Sequence, residues 1–245
     1  MNDTPVFSQW LKITDNLTDC FGRMKPSALL YAIQEVSGAH SNELGTDVNT
    51  LSRRDLFWAV LRTRVEITRL PRLGEKIHLT TWPMPTSRVA YPRAVAAFDE
   101  DGRELFRSIS LWVLMEGKSR SMILPGKSGV EIMGSLRGLE LPVPQGLPAR
   151  IMPRSRSRAV CFTDLDRNSH MNNTRYMDWV CDLLPSAYHE GHELKDLTVC
   201  YLNEAREGQE LELHWDFPDS GSMVVDITRQ GENREDRIFA AKLLF

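Results

Sequence analysis

Apolar residues recur along this chain in two rhythms, and the order of those rhythms is written twice. Over residues 27–44, Leu29, Ala32, Ile33, Val36 and Ala39 fall three or four apart, the spacing of a helix with one buried face. Over 57–69 the period changes to two: Leu61, Thr63, Val65 and Ile67 alternate with Arg62, Arg64 and Glu66, which predicts a half-buried strand. Strand-like runs follow near 75–82, 88–98 and 104–116, divided by the turn-favouring pairs Leu73-Gly74 and Asp101-Gly102. The second half repeats the order. Tyr176, Trp179, Val180, Leu183 and Leu184 predict an amphipathic helix. Strand-like runs follow near 195–203, 209–217, 222–229 and 237–244, with Leu211, Leu213, Trp215 and Phe217 alternating against Glu210, Glu212, His214 and Asp216.

The halves can be laid on each other. Asp19 stands 12 residues before Tyr31 and Asp164 stands 12 before Tyr176, an offset of 145. Arg69–Glu75 echoes Asn203–Gln209 at an offset of 134. Between the copies, Pro125 to Pro153 is rich in glycine and proline and reads as a linker. The expected organisation is α+β: an N-terminal unit over 1–125, a linker over 126–153 and a C-terminal unit over 154–245, each a helix with an antiparallel sheet.

Composition narrows the class. A hydrophobic share of 42% and a charged share of 26% in 245 residues are those of a soluble globular chain. The net charge of −3 gives no basic footprint for nucleic acid. No apolar run approaches the roughly 20 residues of a membrane helix, so no membrane insertion is expected. Met1-Asn2-Asp3-Thr4-Pro5 lacks the basic and apolar regions of a secretory signal. Cys20, Cys161, Cys181 and Cys200 are widely spaced without a CxxC pair, which predicts reduced, mostly buried thiols in a cytoplasmic protein.

The candidate chemistry sits in one stretch. Asp166, Asn168 and His170 alternate just ahead of Met171, Asn172, Asn173 and the predicted helix. In an extended segment that alternation sends all three side chains to one side. An imidazole titrates near neutral pH, and a neighbouring carboxylate or amide can fix its tautomer. A helix start offers backbone N–H groups, here those of Met171, Asn172 and Asn173, to a developing oxyanion. The Asn172 and Asn173 side chains are themselves suited to capping. Taken alone His170 could equally be a surface or capping residue; its company sets it apart. Glu204, after the strand-like Leu197–Leu202, is by its own pattern a solvated turn carboxylate. At the two offsets the first copy has Phe21, Arg23, Lys25 and Leu70 where the second has Asp166, Asn168, His170 and Glu204, so the polar set belongs to one copy.

Other features carry less. His189-Glu190-Gly191-His192-Glu193 is not HExxH and has no third ligand nearby, so an exposed loop and no metal are expected. No cysteine has a base at a telling spacing. GxSxG, Walker and Rossmann motifs are missing, and no cofactor is expected. The arginines at 53, 54, 62, 64, 69 and 72 read as solvated faces; the cluster Arg150, Arg154, Arg156 and Arg158 could meet an acidic partner.

The run Asp166-x-Asn168-x-His170-x-Asn172-Asn173-x-x-Tyr176-x-x-Trp179, followed by Tyr201-x-x-Glu204, resembles the acyl-acyl carrier protein thioesterases of plants and bacteria. Phe57-Trp58, Pro71–Glu75 and Trp82-Pro83 are similar to that family's N-terminal unit. The resemblance implies two tandem hotdog domains, each a long helix wrapped by an antiparallel sheet. It implies hydrolysis of fatty acyl-acyl carrier protein to free fatty acid and carrier, with acyl carrier protein as partner and Asp166, Asn168, His170 and Glu204 as catalytic residues. Many members have a cysteine right after the glutamate; here Ala205 stands there, which favours water as nucleophile. The first copy, lacking the polar set, is expected to form the acyl pocket, with Leu30 and Ile33 setting chain length. The alternatives are an acyl-CoA thioesterase of the same fold, a hydratase of that fold, which lacks its expected histidine context here, and a non-catalytic acyl-binding or regulatory protein. The residues decide neither a monomer nor a homodimer.

Overall fold

The computed structural model describes residues 5–136, 141–229 and 236–245. Met1–Thr4, on which the expectation of no secretory signal rests, and part of the 126–153 linker lie outside them. In chain order the elements are β1 (Phe7–Lys12), α1 (Pro26–Glu43), α2 (Val48–Ser52), β2 (Leu56–Ile67), β3 (Lys76–Pro83), β4 (Tyr91–Phe98), β5 (Glu104–Glu116), β6 (Met122–Ile123), α3 (Pro125–Ser128), β7 (Arg154–Ala159), α4 (Arg175–Cys181), α5 (Ser186–Gly191), β8 (Asp196–Tyr201), β9 (Glu210–Asp219), β10 (Ser222–Arg229) and β11 (Arg237–Leu244).

The strands form one antiparallel sheet in the order β1-β3-β4-β5-β2-β8-β11-β10-β9-β7, with β6 paired to β5. That order mirrors itself about the β2–β8 seam, where Arg62 to Glu66 pair with Cys200 to Asp196. Arg64 donates twice to Asp196 across the seam, at 3.0 and 2.9 Å. Joining the copies at this edge leaves β1 and β7 as the outer edges. β7 alternates Arg154, Arg156 and Arg158 on an exposed face, a charge pattern that discourages further strand pairing.

One face of the sheet carries the core. Leu29, Leu30, Ile33 and Val36 of α1 and Met177, Trp179 and Val180 of α4 pack with Val65, Val95, Val199 and Val225 in a single cluster that crosses both copies. On the opposite face the linker packs Leu141 against Trp82, Ala94, Ala96 and Ile109. It is also stitched to the end of β3: Ser135 N–H donates to the Pro83 carbonyl at 3.0 Å. At Gly134 an added Cβ would stand 2.1 Å from the Met84 carbonyl oxygen, so only glycine fits there.

The predicted helix over 27–44 and all eight predicted strand runs are present. The second helix is not long. α4 ends at Cys181, and Leu183 and Leu184 lie in the turn beyond it. Pro185 explains this: proline cannot donate into the helix, and it biases its predecessor away from helical backbone. β1 and β7 went unpredicted for different reasons: β7 is exposed along most of its length, and β1 alternates over only six residues, with Phe7 and Leu11 its only apolar side chains on the core. Cys20 and Cys161 are exposed, Cys181 is half-buried and Cys200 buried; all four are free thiols, so the expectation of mostly buried thiols fails for two.

The hydrogen bonds give the true superposition of the two copies. Asp19 N–H donates to the Arg23 carbonyl, as Asp166 N–H does to that of His170, both at 2.8 Å. Lys25 N–H donates to the Leu17 carbonyl as Asn172 N–H does to Asp164. The bridges Thr18–Met24 and Leu165–Met171 match. Each pair differs by 147, so the offset of 145 is corrected by two residues. The offset of 134 stands: Met24 N–H donates to Pro71 where Met171 N–H donates to Ala205. The equivalents of Asp166, Asn168 and His170 are therefore Asp19, Phe21 and Arg23.

Candidate active site

Asp166–His170 is a tight turn and not the extended segment that the alternation suggested. The turn is closed by the Leu165–Met171 bridge and passes through Ser169 at φ +60°. Its sister turn has Gly22 at φ +72° in that place, so Ser169 holds a left-handed conformation that glycine adopts without strain. Asp166 Oδ1 accepts from the Asn168 N–H at 2.7 Å and the His170 N–H at 3.3 Å. Asp19 does the same in the first copy, accepting from Phe21 and Arg23 N–H at 2.9 Å each. The aspartate is thus the turn's scaffold in both copies, while the amide and the imidazole are confined to the second. The other Asp166 oxygen accepts from Asn168 Nδ2 at 3.4 Å, so Asp166 steers Asn168 rather than the imidazole ring.

The partner of the His170 ring comes from farther along the chain. Glu204, in the loop after β8, places Oε2 3.2 Å from His170 Nε2. Met171 N–H donates to the carbonyl of buried Ala205 at 2.8 Å, which fixes the loop against the turn. The Glu204 carbonyl also accepts from Arg229 Nη2 at 3.1 Å. His170 is mostly buried and Glu204 is about half-exposed, so the pair sits where water can reach it.

Arg120, which the sequence analysis passed over, completes the group. It lies in the turn between β5 and β6 at φ +56°, in the first copy, and its guanidinium pairs with Glu204. Its Cζ stacks 4.8 Å over the Phe57 ring. A left-handed arginine at a hairpin tip has no signal in hydrophobic patterning. Burial first, then the charges of Arg120 and Arg206, hold His170 below the ordinary imidazole range, against a smaller opposing effect of Asp166.

The expected oxyanion donors are mostly committed. Met171 N–H is bound to Ala205 and Asn172 N–H to the Asp164 carbonyl, both at 2.8 Å. The helix starts at Arg175 rather than at the asparagines, with Asn172 Oδ1 accepting from Thr174 N–H and Oγ1 at 2.9 Å. Among the described residues, Asn173 N–H is the one of the three left without an acceptor. The Asn168 side chain is exposed beside His170, with its Nδ2 on Asp166 Oδ2.

A cavity of about 670 Å³ opens beside this turn. Asp166, Arg167, Asn168 and Asn172 border it, and it runs between α1 and the sheet of the first copy, past Trp58, Tyr91 and Trp112. His170 and Glu204 flank the turn outside the cavity wall. The α1 residues that face it are Gln34, Glu35, Ser37, Gly38, Ser41 and Asn42, whereas Leu30 and Ile33, the expected determinants of chain length, are sealed in the core. Arg93 of β4 reaches the cavity from the sheet. Its Nη1 lies 2.9 Å from His40 Nδ1 and 3.3 Å from Thr81 Oγ1. Burial, then the Arg93 charge, lower His40 to about 4.

The His40 shift has a sign that can be measured. Between pH 6.5 and about 4 the unfolded chain takes a proton that the folded chain refuses. Stability from this group is whole above 6.5 and falls by ~1.4 kcal/mol per pH unit through that window. Urea melts should show this slope in the wild type and a flatter one in His40→Gln; equal slopes would discard the assignment.

Elsewhere, His189 Nε2 and His192 Nδ1 are engaged with the carbonyls of Cys181 and Tyr188, at 3.0 and 2.9 Å. Burial pushes the Cys181 thiol up to about 12 and raises Cys200, so neither supplies a thiolate near neutrality. Among the described residues no helix is long and apolar enough to cross a membrane.

Comparison with known proteins gives two family matches along the chain. Residues 5–124 match the model of the acyl-ACP thioesterase N-terminal domain, and residues 153–239 that of the acyl-ACP thioesterase C-terminal domain. The palmitoyl-acyl carrier protein thioesterase of Gossypium hirsutum is 26% identical over 222 residues, covering 83% of this chain and 53% of the relative. The dodecanoyl-[acyl-carrier-protein] hydrolase of Cinnamomum camphora is 27% identical over 202 residues, covering 72% and 50%. Both relatives are chloroplastic, and the chain spans about half the length of the curated relatives it matches. Among solved structures, an acyl-ACP thioesterase from Bacteroides thetaiotaomicron superposes with a TM-score of 0.86 at 22% identity over 98% of this chain and 97% of that one. The 12:0-ACP thioesterase of Umbellularia californica gives 0.80 at 22% over 98% and 96%. These establish the same fold, the tandem hotdog arrangement. With the N-terminal and C-terminal family models matched in that order over most of its length, the chain belongs to the acyl-ACP thioesterase family.

Proposed function

We propose that this chain hydrolyses fatty acyl thioesters of acyl carrier protein, releasing free fatty acid and the carrier thiol by direct attack of water. The observation that carries this reading is the 3.2 Å His170–Glu204 contact, set beside Asn168 at the rim of the cavity. The acyl chain enters the cavity and leaves the thioester at the turn. Asn168 Nδ2 donates to the carbonyl oxygen as it gains charge; one such donor is worth roughly 10²–10³ in rate. Water between the thioester and the His170–Glu204 pair gives up a proton to that pair as its oxygen bonds to the carbonyl carbon. Collapse of the tetrahedral species breaks the C–S bond, and the departing sulfur takes the proton back. Asp166 holds the turn and Asn168.

The carrier is tested by measuring thiol release from one acyl chain presented on acyl carrier protein and on CoA. Faster release from the protein carrier supports the proposal. Preference for CoA transfers the same chemistry to an acyl-CoA substrate, and bound acyl ligand without release from either carrier replaces it by a binding role.

Arg120 gives a second check. A base at the His170–Glu204 site works when His170 is neutral, so the lowered His170 keeps activity below pH 6.5. Removing the nearby cation in Arg120→Ala should raise the acid limb of the kcat–pH profile toward the ordinary imidazole value. An unmoved limb would remove Arg120 from the site's electrostatics.

A further inference from the structure

The cavity of the first copy contains a feature that a plain hydrocarbon chain does not need. Arg93 is buried, 6% exposed, yet it ends in the cavity wall. Its partners are the neutral groups His40 and Thr81, and among the described residues no carboxylate pairs with it. Three carboxylates border the same cavity but are engaged elsewhere. Asp47 caps α2 through Asn49 N–H, Thr50 N–H and Thr50 Oγ1. Asp166 closes its turn. Glu35 is exposed and faces Tyr31 of its own helix. A desolvated cation without a counter-charge is costly, and such groups are kept where something else supplies the acceptor.

The sister copy shows that the fold does not demand an arginine there. In the first copy Val95 pairs with Thr81 and Ala97 with Leu79; in the second Val225 pairs with Trp215 and Ile227 with Leu213. With Thr81 matched to Trp215 at the offset of 134, β4 maps onto β10 at an offset of 130, and Arg93 falls on Met223. Arg93, Val95 and Ala97 point to the helix side of the sheet, as do Met223, Val225 and Ile227, and Met223 is fully buried in the apolar core. One register position thus holds a methionine in the copy without the cavity and a guanidinium in the copy with it. Ser37, Ser41 and Gln34 of α1 continue the polar lining opposite.

We propose that Arg93, backed by His40 and Thr81, is a specificity subsite for a hydrogen-bond-accepting oxygen on the acyl chain, so that this chain selects oxygen-bearing acyl groups over unsubstituted alkyl ones. This rests on the proposed function for the identity of the acyl ligand. The test therefore measures binding rather than turnover. Amide analogues of acyl-pantetheine, in which NH replaces the thioester sulfur, are prepared at one chain length with methyl, hydroxyl or carboxylate ends and with a mid-chain hydroxyl. Their dissociation constants are measured by calorimetry on the full chain. A hydrogen bond to a charged group is worth ~1.5–3 kcal/mol, so the best oxygenated analogue should bind about 10–100-fold tighter than the methyl-ended one. Arg93→Met, which installs the sister copy's residue, should abolish that preference and leave the methyl-ended analogue bound at least as well. Arg93→Gln, which keeps a polar group, serves if the methionine variant does not fold. The carboxylate and hydroxyl arms separate an anionic from a neutral acceptor. Equal or tighter binding of the methyl-ended chain by the wild type would overturn the proposal, as would an unchanged preference in the variant. Binding preference without thioester turnover would refute the catalytic reading and leave the subsite standing.

Discussion

His170→Ala and Glu204→Gln each lower kcat for thioester release by about 10²–10⁴-fold, the range of a lost general acid–base group, while the melting temperature stays close to that of the wild type. The effect is expected on kcat because, in the proposed mechanism, the Nε2–Oε2 contact of 3.2 Å handles a proton, and neither side chain lines the cavity. Stability is spared because Glu204 is half-exposed and the backbone anchors of its loop survive its replacement: Met171 N–H on Ala205, and Arg229 on the carbonyl of residue 204. The double variant should be little worse than the more damaging single one, because the two groups act as a unit. Steady-state rates on one carrier-bound substrate, with thermal melts alongside, provide the check. Near wild-type turnover in either variant would strike that residue from the mechanism.

Ile33→Ala destabilises the chain by about 2–5 kcal/mol, the range for emptying a well-packed aliphatic site, and leaves the product profile as it was. Ile33 is 1% exposed in the cluster that joins α1 to the sheet, so its loss leaves a hole in the core and not in the cavity beside the turn. Chain-length preference should answer instead to the α1 face that borders the cavity. Ser41→Leu fills space there and should shift products toward shorter chains at little cost in stability. Denaturant melts and product analysis of the two variants separate the roles. A changed profile in Ile33→Ala with unchanged stability would place Ile33 at the cavity after all.

Much of this was visible in the chain because it depends on local repetition. The helix over 27–44 and the alternating strands carry their own periodicity, and the echo of Arg69–Glu75 in Asn203–Gln209 holds at the hydrogen-bond level. The offset of 145 failed by two residues because it rested on tyrosines at different helical positions rather than on the turn. The turn is the better ruler: Asp19 and Asp166 each accept from two backbone amides, and Gly22 and Ser169 share a positive φ. That ruler also changes the meaning of Asp166, which is common to both copies and therefore belongs to the turn rather than to the imidazole.

The amino-acid sequence by itself determined the α+β repeat and the family and named His170, Asn168 and, through the resemblance, Glu204 as candidates, because period, turn chemistry and motif are all short-range properties of a chain. Tertiary structure decided what those residues meet. It brought Glu204 to His170 across 34 positions, gave Arg120 of one copy to Glu204 of the other, committed two of three expected oxyanion amides and turned Leu30 and Ile33 away from the cavity. It also exposed the contrast between Arg93 and Met223, which requires knowing the strand register. Each of these depends on which side chains the folded sheet sets face to face, and that is a property of pairing across the whole chain rather than of any stretch within it.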